Sequence, residues 1–241
     1  MTTHLNAASA ADGRRPVGGV LFDIDGTLTR TNDLIFATFN YITAKHCGRT
    51  YEPREIIALF GPPEEGAIVR LVGEEHLDEA MDDLCAYYRD HHHAMAALHD
   101  GMGEVLEFLK GKGIPLGIFT GKGRRTARIT LDALGITRYF DLIVSGNDVV
   151  RHKPDPEGIT RFVRTFALPP GDVLMVGDAL GDITASRAAG VISVAVLWDS
   201  YDRERVLQAG ADLVFHEVGA FHTWLETRVR FPGDTVTAAN A

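Results

Sequence analysis

The sequence is poor in cysteine and in long apolar runs. Its 241 residues include only two cysteines, Cys47 and Cys85, which cannot form a disulfide framework and show no paired metal-ligand spacing. No apolar run approaches the ~18 residues of a membrane-spanning helix. The first sixteen residues contain no apolar segment resembling a signal peptide. These absences predict a reduced, cytoplasmic protein that does not insert into a membrane.

Positive charge is also scarce. The chain carries 24 Lys and Arg against 33 Asp and Glu, which gives a formal net charge of −9 at pH 7. A general nucleic-acid-binding protein needs a basic face, so we expect no nucleic-acid partner. A small anionic substrate remains compatible with this balance, because a site can be locally positive on an acidic protein. The composition leaves monomer and homodimer equally open.

The order of apolar patterns indicates an α/β protein. A short apolar run over residues 17–23 predicts a buried strand. From residue 100 onward, helical patterns alternate with strands, which predicts a parallel sheet with helices on both faces. Between them lies a stretch with helical periodicity and no convincing strand. The later strands are predicted at 115–119, 142–144, 173–176, 193–196 and 213–215. The helices of the stretch between the first strand and residue 100 are predicted at about 32–48, 53–60, 67–72 and 75–92.

This change of pattern sets the expected domain boundaries. Residues 17–30 and 98–229 should form the core, and residues 31–97 should form an inserted helical domain. Residues 1–16 are predicted to be a mobile tail. Residues 230–241 have little apolar content and are predicted to be frayed.

Polar residues follow four of the predicted strands. Ligands of open parallel sheets bind outside the carboxyl ends of the strands, so we expect these residues to meet at one edge of the sheet. Any single aspartate here would more often be a helix cap or a turn residue; the prediction rests on the whole set. The set comprises Asp23 and Asp25 after the first strand, Thr120 and Gly121 after the second, Lys153 after the third, and Asp178 and Asp182 after the fourth.

The chemistry of this set points to magnesium and phosphate. Several carboxylates in one small space repel one another and need a cation. Oxygen ligands without a His or Cys cluster suit Mg²⁺. The Thr120 hydroxyl, the Lys153 ammonium and backbone amides near Gly26 and Gly121 can hold phosphate oxygens. A metal-bound carboxylate that faces a phosphate is a candidate nucleophile.

These motifs resemble the pattern DxDGT(L/V)…(S/T)…K…GDxxxD of the haloacid dehalogenase superfamily. The resemblance extends over about residues 19–227 and looks like the phosphoglycolate phosphatase-like branch. It implies a Rossmann-like core with an inserted all-helical cap, Mg²⁺ as the cofactor and a small phosphorylated metabolite as the substrate. The matching residues are Asp23-Ile24-Asp25-Gly26-Thr27-Leu28, Thr120, Lys153 and Gly177-Asp178-Ala179-Leu180-Gly181-Asp182.

The resemblance also implies a role for each matching residue. Asp23 would attack phosphorus and become phosphorylated, while Asp25 would protonate the leaving oxygen and then activate water. Thr120 and Lys153 would hold phosphate oxygens. The expected metal ligands are Asp23, the backbone carbonyl of Asp25, Asp178 and, directly or as a supporting partner, Asp182. The dehalogenase and phosphonate-cleaving members lack the second acid of the first motif, so Asp25 argues against both activities.

A basic cluster follows Thr120 directly. It contains Lys122, Arg124, Arg125 and Arg128. Cations at a helix start oppose the helix dipole, and Arg suits carboxylates and phosphates. We therefore predict that Gly121, Lys122, Arg124 and Arg125 bind the substrate, with the cluster recognising a second anionic group. The alternative is a helix start that is simply solvated.

The expected function is Mg²⁺-dependent hydrolysis of a small phosphate monoester through a phospho-aspartate. Hydrolysis of pyrophosphate or of a nucleoside monophosphate is the alternative. A sugar phosphomutase would need a cap that excludes water, and no feature of the sequence indicates one. A non-catalytic binding protein is disfavoured because Asp23, Asp25, Lys153 and Asp178 are all present.

Overall fold

The computed structural model describes residues 13–234. In chain order its strands are β1 (Arg15–Pro16), β2 (Gly19–Phe22), β3 (Thr29–Arg30), β4 (Ala97–Leu98), β5 (Leu116–Phe119), β6 (Leu142–Val144), β7 (Val173–Gly177), β8 (Ile192–Val196), β9 (Leu213–Phe215) and β10 (Val229–Arg230). Six of these strands form one parallel sheet in the order β6-β5-β2-β7-β8-β9. All residues of β2, β5, β7 and β8 are buried, as expected for strands covered on both faces.

Ten α-helices accompany these strands in the described part of the chain. The first four follow one another between β3 and β4, and the other six connect or flank the strands of the sheet. They are α1 (Asn32–Cys47), α2 (Pro53–Ile57), α3 (Glu64–Val72), α4 (Leu77–Met95), α5 (Met102–Gly111), α6 (Arg124–Ala133), α7 (Glu157–Thr165), α8 (Leu180–Ala189), α9 (Arg203–Gln208) and α10 (Val218–Arg228). This arrangement confirms the predicted α/β fold, a Rossmann-like parallel sheet with an inserted all-helical cap.

The cap helices share a hydrophobic cluster of their own. Leu34 and Ile42 of α1 are fully buried, and they pack in one cluster with Leu84 and Tyr88 of α4. Burying side chains of this kind stabilises a fold by roughly 1.5–3 kcal/mol each. The apolar periodicity of α1 and α4 therefore explains why residues between β3 and β4 form helices that pack together.

The two segments that connect the sheet to the cap pair with each other as short strands. β3 and β4 run antiparallel, with Thr29 opposite Leu98 and Arg30 opposite Ala97. Each strand has only two residues, too few to give the alternating pattern by which strands are recognised in a sequence. The pairing keeps entry to and exit from the cap side by side.

The predicted tails need correction at their inner ends. β1 pairs in parallel with β10, so Arg15, Pro16 and Arg230 belong to a small sheet. Phe231 is only 3% exposed and packs into the main core. Short, isolated apolar positions carry no periodic signal, so the sequence pattern does not reveal this pairing. Residues 1–12 and 235–241 of the predicted tails lie outside the described residues.

Chain order reverses on either side of β2. This strand lies between β5 and β7, so the carboxyl ends of these three strands are neighbours. Such a reversal is where open α/β sheets bind ligands. Within residues 13–234, no helix is both long and apolar enough to cross a bilayer.

Candidate active site

Three aspartates meet at the carboxyl end of the sheet. Asp23 directly follows β2, Asp178 directly follows β7, and Asp182 lies in the first turn of α8. One carboxylate oxygen of each lies within 4.8 Å of the other two. The backbone N–H of Asp23 donates to the carbonyl oxygen of Val176 at 2.9 Å, so the β2–β7 pairing itself fixes the nucleophile candidate beside the β7 end.

Two glycines of the motifs make this approach possible. Gly26 has φ +76°, and a Cβ at this position would lie 2.5 Å from Asp178 Oδ2. A Cβ on Gly177 would lie 2.3 Å from Asp182 Cγ. Any larger residue at either position would push an aspartate out of place. Thr27 supports the arrangement, since its hydroxyl donates to Asp178 Oδ1 at 3.0 Å.

Lys153 supplies the positive charge within this group. Its Nζ lies 2.6 Å from Asp182 Oδ1 and 3.2 Å from Asp23 Oδ2, and the side chain is 9% exposed. Burial lowers the pKa of Lys153, but the carboxylates of Asp182 and Asp23 outweigh this effect and raise the pKa above its ordinary value. The ammonium therefore stays protonated.

One ammonium does not balance three buried carboxylates. Burial raises the pKa of Asp23 to about 6. The positive charge of Lys153 acts to lower this pKa, and repulsion from Asp182 and Asp25 offsets part of that lowering. Burial, followed by the charges of Asp23 and Asp182, raises the pKa of Asp178 well above its ordinary value. A divalent cation would relieve this repulsion, and carboxylate oxygens are the ligands that Mg²⁺ prefers. The residues present therefore fit the predicted metal.

The side chain of Asp25 has different partners from that of Asp23. The Thr31 hydroxyl donates to Asp25 Oδ1 at 2.6 Å, and Lys122 Nζ lies 3.3 Å from both carboxylate oxygens. Two carboxylates only two residues apart thus have separate environments. The three-carboxylate group includes Asp23 and does not include the side chain of Asp25.

Lys122 connects Asp25 to the cap. It is buried, its Nζ lies 3.9 Å from Glu64 Oε1, and it sits 4.5 Å from the ring centroid of Tyr88. Burial lowers the pKa of Lys122, but the charges of Asp25 and Glu64 contribute to a net rise above the ordinary value. Glu64 also accepts hydrogen bonds from the Gly123 N–H and the hydroxyl of Thr126, both at 2.5 Å.

Glu64 lines the cavity but is not among the site residues predicted from the sequence. It is the first residue of α3, directly after Pro62 and Pro63. The available signal was local: proline precedes helix starts readily, and acidic residues favour the first helical turn. The helix was expected to begin at residue 67, which left Glu64 in a turn.

Thr120 and Gly121 occupy the end of β5. The Thr120 N–H donates to the carbonyl oxygen of Val144 at 3.0 Å, and the Lys122 N–H donates to the Thr120 hydroxyl at 3.2 Å. A Cβ on Gly121 would lie 3.1 Å from the carbonyl oxygen of Gly61 in the cap. The cap loop therefore approaches the backbone of this turn closely.

One cavity of about 480 Å³ joins these groups. Its floor contains Asp23, Asp25, Thr120, Gly121, Lys122, Lys153, Asp178 and Asp182, which are eight of the ten predicted site residues. Its opposite wall comes from the cap, with Ile35, Phe39, Ile57, Leu59 and Phe60. The cavity thus places the polar groups at the sheet edge opposite an apolar cap surface.

The structure places Arg124 and Arg125 apart from the other predicted site residues. The Arg124 side chain is 65% exposed and pairs with Asp148, and the Arg125 side chain is 48% exposed and pairs with Asp82. Neither lines the cavity. Both point to solvent from the first turn of α6, where water and the surface carboxylates offset the unfavourable helix dipole.

Comparison with known proteins agrees with this geometry. Residues 20–196 match the family model described as haloacid dehalogenase-like hydrolase. The chain belongs to this family. The match spans all strands of the sheet from Val20 of β2 to Val196 of β8 and every predicted site residue.

Proteins similar in sequence to this chain include two called pyrophosphatase PpaX. The one from Anoxybacillus flavithermus is 30% identical over 202 residues, which cover 84% of this chain and 94% of the relative. The one from Bacillus velezensis is 30% identical over 206 residues, covering 82% and 95%. The chain is therefore similar to these enzymes over nearly their whole length.

Solved structures share the fold. A predicted phosphoglycolate phosphatase from Haemophilus somnus superposes with a TM-score of 0.76 at 22% identity, covering 86% of this chain and 97% of that one. A hydrolase from Pseudomonas syringae superposes with a TM-score of 0.73 at 24% identity, covering 88% and 100%. At these identities the likeness concerns the fold.

Proposed function

We propose that this protein is a Mg²⁺-dependent phosphatase that hydrolyses a small phosphate monoester through a phosphorylated Asp23. The observation that carries the proposal is the separation of the two carboxylates of the first motif. Asp23 lies against Lys153 and the other aspartates, whereas Asp25 is held by Lys122 and Thr31 on the floor of the same cavity.

The two carboxylates would share the reaction in two steps. The Asp23 carboxylate attacks phosphorus, the bond from phosphorus to the leaving oxygen breaks, and Asp25 gives that oxygen its proton. Asp25 then takes a proton from water, which attacks phosphorus, releases inorganic phosphate and restores Asp23. The Thr120 hydroxyl and the Lys153 ammonium would hold phosphate oxygens throughout.

Mg²⁺ would be held by Asp23, Asp178, Asp182 and the backbone carbonyl of Asp25. When bound, the ion would offset the negative charge of the phosphate. The donor set is made of oxygen atoms, and the 4.8 Å grouping of the three carboxylates supports it. Residues 31–97 would act as the cap domain that covers the reacting groups, and residues 17–30 and 98–229 as the catalytic core.

Pyrophosphate is the second candidate substrate. Relatives 30% identical over most of this chain are called pyrophosphatases, and the same nucleophile would serve if the leaving group were phosphate. Hydrolysis of a nucleoside monophosphate and phosphoryl transfer to a sugar use the same first step. No contact in the described residues favours either of these two.

The proposal is tested by measuring phosphate release with Mg²⁺ from a panel of metabolites. The panel includes simple monoesters, phosphoglycolate, pyrophosphate, nucleoside monophosphates and a sugar phosphate whose isomerisation is followed separately. We expect release from at least one monoester and none from Asp23→Asn. Phosphate release by Asp23→Asn at the wild-type rate would contradict the proposed nucleophile, and isomerisation without release would indicate a mutase.

A further inference from the structure

In the described part of the chain, each cationic side chain that lines the cavity already contacts a carboxylate. Among the described residues, the cavity wall contains two lysines, Lys122 and Lys153, and neither Arg nor His. Lys153 contacts Asp23 and Asp182, and Lys122 contacts Asp25 with Glu64 nearby. A second anionic group on the substrate would find no unpaired cation in this wall.

The cap side of the cavity is mainly apolar, and its polar side chains are those of Asn32 and Glu64. Ile57, Leu59 and Phe60 come from the segment that ends α2 and leads to the next cap helix, and Ile35 and Phe39 come from α1. Sites lined in this way hold the apolar parts of ligands, while a few polar groups fix the reacting end. Here the polar groups lie at the floor of the cavity, where the phosphate of the substrate would bind.

Two aromatic rings stand at the boundary between cap and core. Phe60 of the cap is 40% exposed and Tyr201 of the core is 41% exposed, although both are large. Their ring centroids are 6.4 Å apart, and both line the cavity. Aromatic surface left open beside a cavity is surface that a ligand can bury, and such rings contribute strongly to binding when covered.

The size of the cavity also favours a ligand that has an apolar portion. A volume of about 480 Å³ lies within the range of clefts that hold small organic ligands, roughly 300–1,000 Å³. Pyrophosphate and phosphoglycolate have no apolar portion that could cover the cap side of this space. A larger leaving group would displace the remaining water from the apolar wall, and this displacement favours binding.

We infer that the preferred substrate is a monoester whose alcohol portion is uncharged and apolar, of the size of an arylalkyl group. This inference rests on the proposed phosphatase function. The phosphate would lie at the floor with Lys153, and the alcohol portion would lie against the cavity-facing surfaces of the Phe60 and Tyr201 rings and against Ile57. Glu64 and the paired state of Lys122 disfavour a carboxylate or a second phosphate in that position.

The test compares four compounds in Mg²⁺ by initial rates of phosphate release. They are 2-phenylethyl phosphate, ethyl phosphate, phosphoglycolate and pyrophosphate; the first three are alkyl esters, so leaving-group reactivity differs little among them. We expect kcat/KM for 2-phenylethyl phosphate to be at least tenfold above each of the others. Phe60→Ala should raise KM for 2-phenylethyl phosphate about tenfold and affect ethyl phosphate much less.

Tyr41→Ala is the matched control. Tyr41 is also a cap aromatic with 40% exposure, but it lies outside the cavity, so its removal should leave all four rates unchanged. A higher kcat/KM for phosphoglycolate or pyrophosphate would overturn the inference and leave the phosphatase standing. Equal effects of Phe60→Ala on 2-phenylethyl phosphate and on ethyl phosphate would also overturn it. Absence of phosphate release from all four compounds and from the metabolite panel would overturn both.

Discussion

The ammonium of Lys122 lies 3.3 Å from both carboxylate oxygens of Asp25. This contact, together with the 2.6 Å hydrogen bond from Thr31, fixes the Asp25 side chain apart from the three-carboxylate group. Because Lys122 is buried and also faces Glu64 of the cap, the position of the candidate general acid depends on residues of both the core and the cap.

Removing Lys122 should impair the step in which Asp25 gives up its proton. We expect Lys122→Met to lower kcat by at least tenfold for an alkyl phosphate and by less for 4-nitrophenyl phosphate, whose leaving group needs little protonation. The measurement is kcat for both esters. Arg125→Ala removes an exposed cation three residues away and should change neither rate, since exposed ion pairs contribute little. Equal losses on both esters would contradict a role through Asp25.

Glu64 should hold the cap loop to the core. Its carboxylate accepts the Gly123 N–H, so Glu64→Ala leaves that N–H without its partner and frees the cap loop to open. We expect hydrogen exchange at the Gly123 amide to accelerate by at least tenfold. Asp82→Ala also removes a contact between cap and core, but an exposed one, and should leave that amide unchanged. Unchanged exchange in Glu64→Ala would show that other contacts hold the loop closed.

Elements with a regular apolar pattern could be predicted from the sequence, whereas single contacts between cap and core could not. The strand predicted at 173–176 is β7 within one residue, because a buried parallel strand is a continuous apolar run bounded by turn residues. The grouping of Asp23 with Asp178 followed from parallel strands that end at one edge. The partners of Lys122 could not be predicted in this way, because cap and core meet through loop geometry that periodicity does not report.

The pairing of short strands and the direction of charged side chains could not be predicted from the sequence either. β1 and β10 contain two residues each and come from opposite ends of the described chain, so their pairing leaves no local pattern. The basic run that begins at Lys122 looks uniform in the sequence. In the structure, Lys122 points into the cavity and Arg124 points to solvent, because successive residues at a turn and helix start face different directions.

Magnesium should stabilise the protein through the three-carboxylate group. We expect Mg²⁺ to raise the Tm of the wild type, because the ion binds the folded state and relieves repulsion among Asp23, Asp178 and Asp182. Asp178→Asn should lose this rise in Tm along with turnover. Excess chelator should abolish activity, and Ca²⁺ should inhibit, since it prefers more ligands and looser geometry. Full activity in chelator, or an undiminished Tm rise in Asp178→Asn, would contradict the predicted site.

The raised pKa of Asp23 predicts a pH dependence of stability in the metal-free protein. Its carboxyl pKa is about 6 in the folded state against 3.8 ordinarily, so the folded state binds more protons between these values. Its contribution to the free energy of unfolding therefore falls as pH rises from about 4 to about 6, by at most ~3 kcal/mol. Burial lowers the pKa of His99 to about 4, which acts in the opposite direction over the same range.

Comparing wild type with Asp23→Asn in chelator removes the His99 effect, which both proteins share. The asparagine cannot ionise, so the free energy of unfolding of the variant should exceed that of the wild type increasingly between pH 4 and pH 7. The measurement is urea denaturation across this range. A difference that stays constant with pH would mean that Asp23 titrates at its ordinary pKa.

Asp23 and Asp25 should fail in different ways when each is replaced by asparagine. Asp23 contacts Lys153 and belongs to the three-carboxylate group, so Asp23→Asn removes the nucleophile and should abolish both turnover and covalent phosphate. Asp25 contacts Lys122 and Thr31 instead, so Asp25→Asn should slow turnover by a general acid–base factor, on the order of 10²–10⁴.

The distinguishing measurement is the mass of the intact protein after an acid quench. With 4-nitrophenyl phosphate, Asp25→Asn should still acquire one phosphate, because this leaving group departs without a proton, and should retain it longer than the wild type, because attack by water has lost its base. Thr31→Val offers a milder control that removes one hydrogen bond to Asp25 and keeps the carboxylate. A phosphate adduct on Asp23→Asn, or its absence from wild type and Asp25→Asn at every quench time, would contradict a phospho-aspartate at residue 23.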